Sequence, residues 1–170
     1  MANENGADAA PATQAPALAS NAVSDALRAR FGVEGAWSFG ITFRARWSET
    51  DAYQHVSNRT HFVWFEETRN RYLEAAGYPL TGPDTPGPVI RETTCTYEQP
   101  ISLGDEVLVT CRTAWVGRTS LRMDYAVWHG GLAATAHTIV VWYRNTTRER
   151  LPVPPALIAY MEKLDGTTRR

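Results

Sequence analysis

The sequence predicts a single α+β domain in which one long central helix is wrapped by a curved antiparallel β-sheet of about five strands. Three patterns predict this fold: an alternating strand pattern, then one long helical pattern, then four strand-like segments joined by glycine-containing turns. A sheet with only one long helix to cover it must curl around that helix to bury its apolar face. The fold class therefore follows from the order of the elements.

Composition excludes several classes of protein. With 44% hydrophobic and 21% charged residues the chain is typical of a globular protein. The net charge of −1 provides no basic surface for a phosphate backbone, so we expect no nucleic-acid partner. No apolar segment approaches the roughly 20 residues needed to cross a bilayer, and the N-terminus lacks an export signal. We therefore expect a cytoplasmic protein with no membrane partner, in which Cys95 and Cys111 are reduced core residues.

The N-terminal residues differ in composition from the rest of the chain. They are rich in Ala, Pro, Asn and Gln, which favours a flexible tail. A short helix is expected after the tail, capped by Ser20 or Asn21 and ended by Gly32. The expected organisation is a flexible tail over 1–20, a short helix and linker over 21–38, a single domain over 39–165 and a second tail over 166–170.

The first strand and the long helix have the clearest patterns. Residues 39–47 alternate between apolar and polar side chains, with Phe39 through Trp47 at odd positions facing the core. The helix is expected over about 58–76, ended by Gly77. Seven residues share one face at helical spacing: Asn58, Phe62, Phe65, Glu66, Arg69, Leu73 and Ala76. Two charged residues therefore lie within an otherwise apolar stripe.

Four more strands and a final helix complete the domain. The segments are expected at about 89–97, 106–116, 120–128, 132–143 and, for the helix, 154–164. Gly130 and Gly131 suit a tight hairpin between the last two strands. Exposed sheet edges are often covered by pairing across a two-fold axis, so we expect a dimer.

The loop before the long helix holds the residues best suited to chemistry. Asp51 and His55 precede the helix, and Asn58 lies at its first turn. The first N–H groups of a helix have no intrahelical partner and carry partial positive charge, so they can hold an oxyanion. A carboxylate beside them can act on a thioester, whose thiolate leaves without a strong general acid. The alternative is that Asp51 only caps the helix or shapes a turn.

Other catalytic patterns are absent from the sequence. There is no G-x-S-x-G motif of an α/β-hydrolase. The four histidines do not have the H-E-x-x-H spacing of a zinc site. We therefore expect neither a metal nor a cofactor.

The segment WSETDAYQHVSNRTHFVWFEETR resembles the signature of hotdog-fold acyl-CoA thioesterases, the group of 4-hydroxybenzoyl-CoA thioesterases and related acyl-CoA thioester hydrolases. That signature has an aromatic residue shortly before x-T-D, then G-H-V-N-N, a tyrosine and an F-E-E-A-R helix. The resemblance extends, less specifically, over about 39–164. It implies the hotdog fold and hydrolysis of an acyl-CoA to the free acid and coenzyme A, which is part of the substrate. It also implies a homodimer or homotetramer with active sites at the dimer interface.

The resemblance assigns roles to the residues of the loop and the turn. Asp51 matches the catalytic carboxylate, as general base or nucleophile, and the backbone amide near Asn58 matches the oxyanion donor. His55 and Asn58 match positions that shape the acyl pocket. Arg118 matches a position from which relatives hold the coenzyme A phosphates. The alternative for Arg118 is a solvated turn arginine.

Within the long helix, Glu66 and Arg69 match the E and R of the signature. We expect a buried, structural ion pair, since burying either charge alone is costly. Three residues depart from the signature. Gln54 stands in place of the usual Gly, Ser57 in place of the first Asn, and His61 in place of the Tyr. Gln54 and His61 are therefore expected at the substrate and bear on the choice of acyl group.

Two other functions remain open at this point. One is an acyl-thioester hydratase or dehydratase of the same fold, which also pairs an Asp with a His. Asp51 and His55 lack the rest of that pattern. The other is a non-catalytic acyl-CoA-binding domain. The residues before the domain are too weakly basic to be a DNA-binding segment of a regulator.

Overall fold

The computed structural model describes residues 21–78, 82 and 84–170. The expected tail over 1–20 lies outside the described residues. The strands are β1 (Phe39–Arg44), β2 (Gly87–Tyr97), β3 (Glu106–Val116), β4 (Ser120–Trp128), β5 (Leu132–Arg144), β6 (Glu149–Arg150) and β7 (Thr168–Arg169). The helices are α1 (Asp25–Phe31), α2 (Asn58–Ala75) and α3 (Pro155–Asp165), and one 3-10 turn covers Trp47–Glu49.

The strands form one sheet in the order β1-β3-β4-β5-β2, with β6 beside β5 and β7 beside β3. All neighbours along the main order pair antiparallel. An extra residue shifts the register in β2, β3 and β5, and such bulges bend strands. The sheet therefore curls, with β1 and β2 at its two edges, and the predicted fold class is confirmed.

The long helix α2 fills the concave side of the sheet, against β3 and β1. Trp64, Phe65, Tyr72 and Leu73 are almost fully buried in one cluster with the inner residues of the strands. Burying side chains of this size stabilises the fold by about 1.5–3 kcal/mol each. The helix begins at Asn58 as predicted and ends before Gly77, whose φ of +83° suits glycine.

The buried face of α2 differs from the predicted stripe. Phe62 and Glu66 are exposed. The buried residues of the helix are Thr60, His61, Trp64, Phe65, Thr68, Arg69, Tyr72 and Leu73. Trp64 and Tyr72 have the largest apolar areas, and turning them toward the sheet rotates Phe62 and Glu66 outward. The predicted stripe is therefore partly wrong.

The N-terminal helix is capped differently from the prediction. Ser24, and neither Ser20 nor Asn21, is the N-cap of α1, and its hydroxyl accepts the N–H of Leu27 at 3.3 Å. The helix ends at Gly32, as predicted, with a φ of +68°. The helix and the segment after it cover the outer face of the sheet in a second cluster: Phe31, Trp37, Leu108, Ala126 and Trp128.

Two further expectations change at the ends of strands. The alternation of β1 stops at Arg44, and Trp47 starts the 3-10 turn with 80% of its side chain exposed, so it does not face the core. At the C-terminus, β7 pairs parallel with β3, so residues 166–170 are not a free tail. Both cysteines are free, and burial raises the pKa of each thiol. Cys111 is buried in the core as predicted, whereas Cys95 is half-buried at the edge of the core.

Candidate active site

Backbone hydrogen bonds fix the Asp51 carboxylate. Its Oδ1 accepts the N–H of Tyr53 at 2.8 Å and the N–H of His55 at 3.3 Å. The main chain closes the same loop, because the Asp51 N–H donates to the His55 carbonyl at 2.8 Å. Gln54 lies inside this turn with a φ of +64°, where a glycine would be unstrained. Asp51 thus shapes a turn and also presents an exposed carboxylate.

The same loop is fastened to the start of α2. The Ser57 N–H donates to the Glu49 carbonyl at 2.8 Å, and the Thr60 hydroxyl donates to the same oxygen at 3.2 Å. The N-cap Ser57 makes no side-chain capping bond. Within the described part of the chain, the N–H of Asn58 has no hydrogen-bond partner. A free amide and the positive end of the helix dipole therefore lie seven positions after Asp51.

Four predicted site residues line one cavity of about 360 Å³: Asp51, His55, Asn58 and His61. Val56, Pro100 and Ile101 give this cavity apolar walls, and Tyr97 closes one side. Gln54 lines a second recess of about 630 Å³, which also touches Asp51. Asp51 therefore lies at the boundary between two cavities.

His61 is buried inside the first cavity, with 4% of its surface exposed. Burial lowers the pKa of its imidazole from the ordinary 6.5, so the ring is neutral at pH 7. Nδ1 lies 3.4 Å from the Ser57 carbonyl, which can only accept, so Nδ1 carries the proton and Nε2 is an acceptor. The ring contacts Tyr97 edge-on at 4.9 Å between centroids and Trp64 at 5.5 Å.

The expected ion pair between Glu66 and Arg69 is formed, but only its Arg69 side is buried. Arg69 is 6% exposed, whereas the side chain of Glu66 is 67% exposed, and their charged atoms are 3.8 Å apart. Arg69 donates to the hydroxyl of Tyr125 at 3.4 Å, and its Nε has no partner within the described residues. Glu66 is exposed because α2 is rotated so that Trp64 and Tyr72 face the sheet, which turns Glu66 toward solvent. Burial also raises the pKa of Tyr125 to about 12.

Arg118 lies far from Asp51 within one chain. The Asp51 loop contacts the start of β3, since the Val56 N–H donates to the Ile101 carbonyl at 2.7 Å. Arg118 follows the other end of β3, and an 11-residue strand is about 35 Å long. The side chain of Arg118 is exposed in the β3–β4 turn. One protomer therefore does not bring these two residues together.

The sequence patterns missed one residue beside Asp51, Tyr97, and placed another, Trp47, in the core. Tyr97 ends β2, 46 positions away in the chain, and only the strand pairing brings it to His61. Burial is the main cause that raises the pKa of Tyr97 to about 12, so its hydroxyl is a donor at neutral pH. Trp47 lines the second recess. The sequence feature that indicates a role for Trp47 is the aromatic residue before x-T-D in the signature.

Neither a metal cluster nor a membrane helix is found in the described ranges. No three His, Cys, Asp or Glu side chains of residues 21–78, 82 and 84–170 are grouped so that they can hold a metal ion. Among the same residues, no helix is long and apolar enough to cross a membrane.

The fold and the site together define a class of protein. A sheet curled around one long helix is the hotdog fold, and in this chain Asp51 and Asn58 line one cavity where that helix begins. Comparison with known proteins agrees with this class. Residues 45–160 match the thioesterase-like superfamily. The match covers more than half of the chain, so the chain belongs to the thioesterase-like superfamily.

Individual relatives agree with this family. Over 90 residues the chain is 30% identical to the uncharacterized protein YsmA of Bacillus subtilis strain 168, covering 53% of this chain and 60% of that relative. The chain thus spans less than two thirds of this curated relative. A thioesterase superfamily structure from Jannaschia sp. CCS1 has 27% identity and a TM-score of 0.76, over 84% of this chain and 92% of that chain. A thioesterase from Thermus thermophilus, complexed with coenzyme A and zinc, has 29% identity and a TM-score of 0.63, over 75% and 93%.

Proposed function

We propose that this protein is an acyl-CoA thioesterase that hydrolyses an acyl-CoA to the free carboxylic acid and coenzyme A. One observation carries the proposal. The Asp51 carboxylate, held by two backbone N–H groups, shares a cavity with the unpaired amide of Asn58 at the start of α2. A substrate carbonyl placed between them meets both a base or nucleophile and an oxyanion donor.

Asp51 acts in one of two ways. As general base, it takes a proton from a water molecule whose oxygen attacks the carbonyl carbon. As nucleophile, its carboxylate attacks that carbon, and water then hydrolyses the resulting anhydride. In both cases the carbonyl oxygen becomes an oxyanion that accepts a hydrogen bond from the Asn58 N–H. The carbon–sulfur bond breaks, and the thiolate of coenzyme A leaves and takes up a proton.

The acyl group occupies the cavity that His61 and Tyr97 line. Aromatic rings and apolar side chains form part of its wall, and neutral His61 offers one acceptor, Nε2. His55 lies on the exposed side of the same cavity. Such a lining suits a compact acyl group that carries an aromatic ring or a hydroxyl.

The exposed edge of the sheet supports a homodimer, or a homotetramer built from it. Val89 and Ile90 on β2 are exposed, and so are Phe62 and Val63 on the neighbouring side of α2. Antiparallel pairing of β2 with a second β2 about a two-fold axis covers this edge. The Tyr97 end of one strand then lies beside the Gly87 end of the other.

This pairing bears on the position of Arg118. The Gly87 end of β2 lies at the same end of the sheet as the turn that holds Arg118, because both adjoin the same end of β5 and β4. In the dimer, Arg118 of the second copy therefore approaches the cavity of Asp51. There it holds a phosphate of coenzyme A, and the active site contains residues of both protomers.

The proposed reaction uses no cofactor, since coenzyme A enters as part of the substrate. The Thermus relative that was crystallised with coenzyme A supports this class of substrate. We also propose a cytoplasmic location, which is supported by the two free cysteines.

The proposal is tested by thiol release from a panel of acyl-CoAs with benzoyl, hydroxybenzoyl, phenylacetyl, short, medium and long acyl groups. Free thiol is titrated with a chromogenic disulfide, and the acid is measured by chromatography. We expect one class of ester to release thiol and acid in equal amounts. Folded protein that releases no thiol from any ester contradicts the proposal. An enoyl-CoA is added to the panel, and loss of its conjugated absorbance without thiol release also contradicts the proposal.

The shared site is tested by mixing two variants, Asp51→Asn and Arg118→Glu. After the subunits have exchanged, a mixed dimer holds one site with both residues intact and one site with both changed. Activity should therefore return to roughly a quarter of the wild-type value. If the site lies within one protomer, mixing restores nothing.

A further inference from the structure

We propose that the second recess, on the Trp47 side of Asp51, holds the phosphopantetheine arm of coenzyme A, with Trp47 packed on the arm and Arg59 on the diphosphate at its end. This inference rests on the proposed function. It begins from the position of Asp51, which lines both cavities. A thioester whose carbonyl is at Asp51 must extend its acyl group into one cavity and its coenzyme A arm into the other.

The linings of the two cavities decide which part lies where. Among its described lining residues the smaller cavity has two carboxylates, Asp51 and Glu98, and no Lys or Arg, so it suits an uncharged acyl group better than a phosphate. The recess is larger, about 630 Å³ against about 360 Å³. It is lined by two exposed apolar side chains, a cation and several small polar groups: Trp47, Leu103, Arg59, Ser48, Thr50 and Gln54. A long, flexible arm with amides and phosphates fits this second lining.

Trp47 is held in place although its side chain faces solvent. Its carbonyl accepts the Thr50 N–H at 3.3 Å and the Thr50 hydroxyl at 2.9 Å. The Arg46 N–H donates to the Glu49 carboxylate at 2.8 Å and closes the turn. Trp47 is 80% exposed on a fixed backbone, so the apolar surface of its indole stays in contact with water. That contact costs hydrophobic free energy unless another group packs on the ring. Leu103, 52% exposed, belongs to the same apolar surface.

Arg59 supplies a positive charge at this recess. Its Nη2 donates to the Ser48 carbonyl at 3.3 Å, which directs the guanidinium toward the Trp47 turn. Within the described part of the chain, no carboxylate lies within 4.0 Å of its charged atoms. By contrast, Arg71 on the same helix is paired with Glu67 and Glu74. An unpaired guanidinium suits a diphosphate, which it can bind through two parallel hydrogen bonds.

This charge argues for coenzyme A and against a second copy of the chain as the occupant. An arginine without a carboxylate, next to an exposed indole and leucine, complements a ligand that is both apolar and anionic. The arm of coenzyme A carries dimethyl and methylene groups and ends in a diphosphate. Arg118 of the second copy is then available to bind the separate phosphate on the ribose of coenzyme A.

Tryptophan fluorescence gives a test that needs no catalysis. Of the six tryptophans, Trp47 is the exposed one, and the others are buried or half-buried. Acrylamide should therefore quench Trp47 preferentially, and saturating free coenzyme A should protect it. In Trp47→Phe the protected fraction should disappear while the other five tryptophans still report a folded protein. If Trp47 is already shielded without ligand, or if bound coenzyme A leaves it open to quencher, the proposal is overturned.

Kinetics on truncated thioesters assigns the two contacts separately. The same acyl group is offered on coenzyme A, on pantetheine, which lacks phosphates, and on N-acetylcysteamine, which lacks most of the arm. Arg59→Gln should raise KM for the coenzyme A ester by roughly 10- to 100-fold and leave both other esters unchanged. Trp47→Ala should raise KM for the coenzyme A and pantetheine esters by roughly tenfold but not for the N-acetylcysteamine ester.

The controls distinguish this inference from the proposed function. Arg71 is an exposed arginine on the same helix, and Arg71→Gln should leave KM unchanged for all three esters. An unchanged KM in Arg59→Gln and Trp47→Ala, with normal hydrolysis, overturns the inference and leaves the thioesterase proposal intact. If coenzyme A protects Trp47 but the protein hydrolyses no ester, the thioesterase proposal is overturned and the inference about the binding of the arm stands.

Discussion

The phenol of Tyr72 donates a 2.6 Å hydrogen bond to Oδ2 of Asp165, which ties the last turn of α2 to the end of α3. The N–H of Thr113 donates to the same oxygen at 2.9 Å. Oδ1 of Asp165 is buried and has no partner within the described residues. Burial is the main cause that raises the pKa of this carboxyl, and it outweighs the opposing effects of both hydrogen bonds and of Arg112.

A raised carboxyl pKa makes the folded protein bind more protons than the unfolded chain. Stability should therefore fall as the pH rises from about 3.9, the ordinary value for Asp, through the folded pKa. Asp165→Asn keeps an oxygen for Tyr72 and Thr113 but removes the charge. We expect the variant to gain free energy of unfolding relative to wild type between pH 4 and pH 7, measured by urea titration. If the difference in free energy of unfolding between Asp165→Asn and wild type stays constant across that range, the carboxyl of Asp165 does not have a raised pKa.

The buried Arg69 gives a second prediction. Among the described residues, its charge is compensated only by the Tyr125 hydroxyl and the exposed Glu66, so replacing Arg69 with an apolar side chain of similar length should cost little stability. Arg69→Met is expected to be neutral or stabilising by about 1 kcal/mol in urea unfolding. Glu66→Gln should change stability by no more than about 0.5 kcal/mol. A loss of about 3–5 kcal/mol in Glu66→Gln would instead indicate a true buried ion pair.

The strained turn at Gln54 gives a third prediction. A side chain at a φ of +64° costs roughly 1–2 kcal/mol, and glycine avoids that cost but loses more chain entropy on folding. Gln54→Gly should therefore raise the free energy of unfolding by about 0.5 kcal/mol. Gln54→Ala, which keeps the Cβ, is the matched control and should not. Equal stability of the two variants would show that the backbone at this turn carries no strain.

His61 gives a fourth prediction through its lowered pKa. The unfolded chain binds a proton on this ring at a higher pH than the folded protein does, so stability should be lost as the pH falls below about 6.5. His61→Phe keeps the aromatic contacts with Trp64 and Tyr97 and should reduce this loss between pH 7 and pH 5. His55→Gln, at an exposed position, serves as control. If wild type and His61→Phe follow parallel curves, the imidazole is not desolvated.

Local patterns in the sequence predict most of the elements. The bounds of β3 and β4 agree with the prediction, because glycine-containing turns flank both strands. The helix α2 is predicted within one residue, since Gly77 ends it. The loop with Asp51, His55 and Asn58 is recognisable because it is one short, continuous segment.

Features that depend on side-chain size or on distant contacts were not predictable. A hydropathy pattern counts Phe62 like Trp64, but the larger side chain decides which face of α2 turns inward. The alternating pattern of β1 continues in the sequence to Trp47, whereas the Arg46–Glu49 hydrogen bond starts a turn there. The contact of Tyr97 with His61 depends on strand pairing, which no local pattern contains.

The central claim is that Asp51 performs the hydrolysis, and the most direct measurement is thiol release by Asp51→Asn from the best acyl-CoA of the panel. Asparagine keeps an oxygen for the Tyr53 and His55 N–H groups, so the loop should keep its shape. The exposed Asp25→Asn, in α1, is the matched control. We expect Asp51→Asn to lose roughly 10²- to 10⁴-fold in kcat with unchanged stability, and the control to lose nothing. Turnover near the wild-type rate in folded Asp51→Asn would contradict the assignment of the catalytic carboxylate.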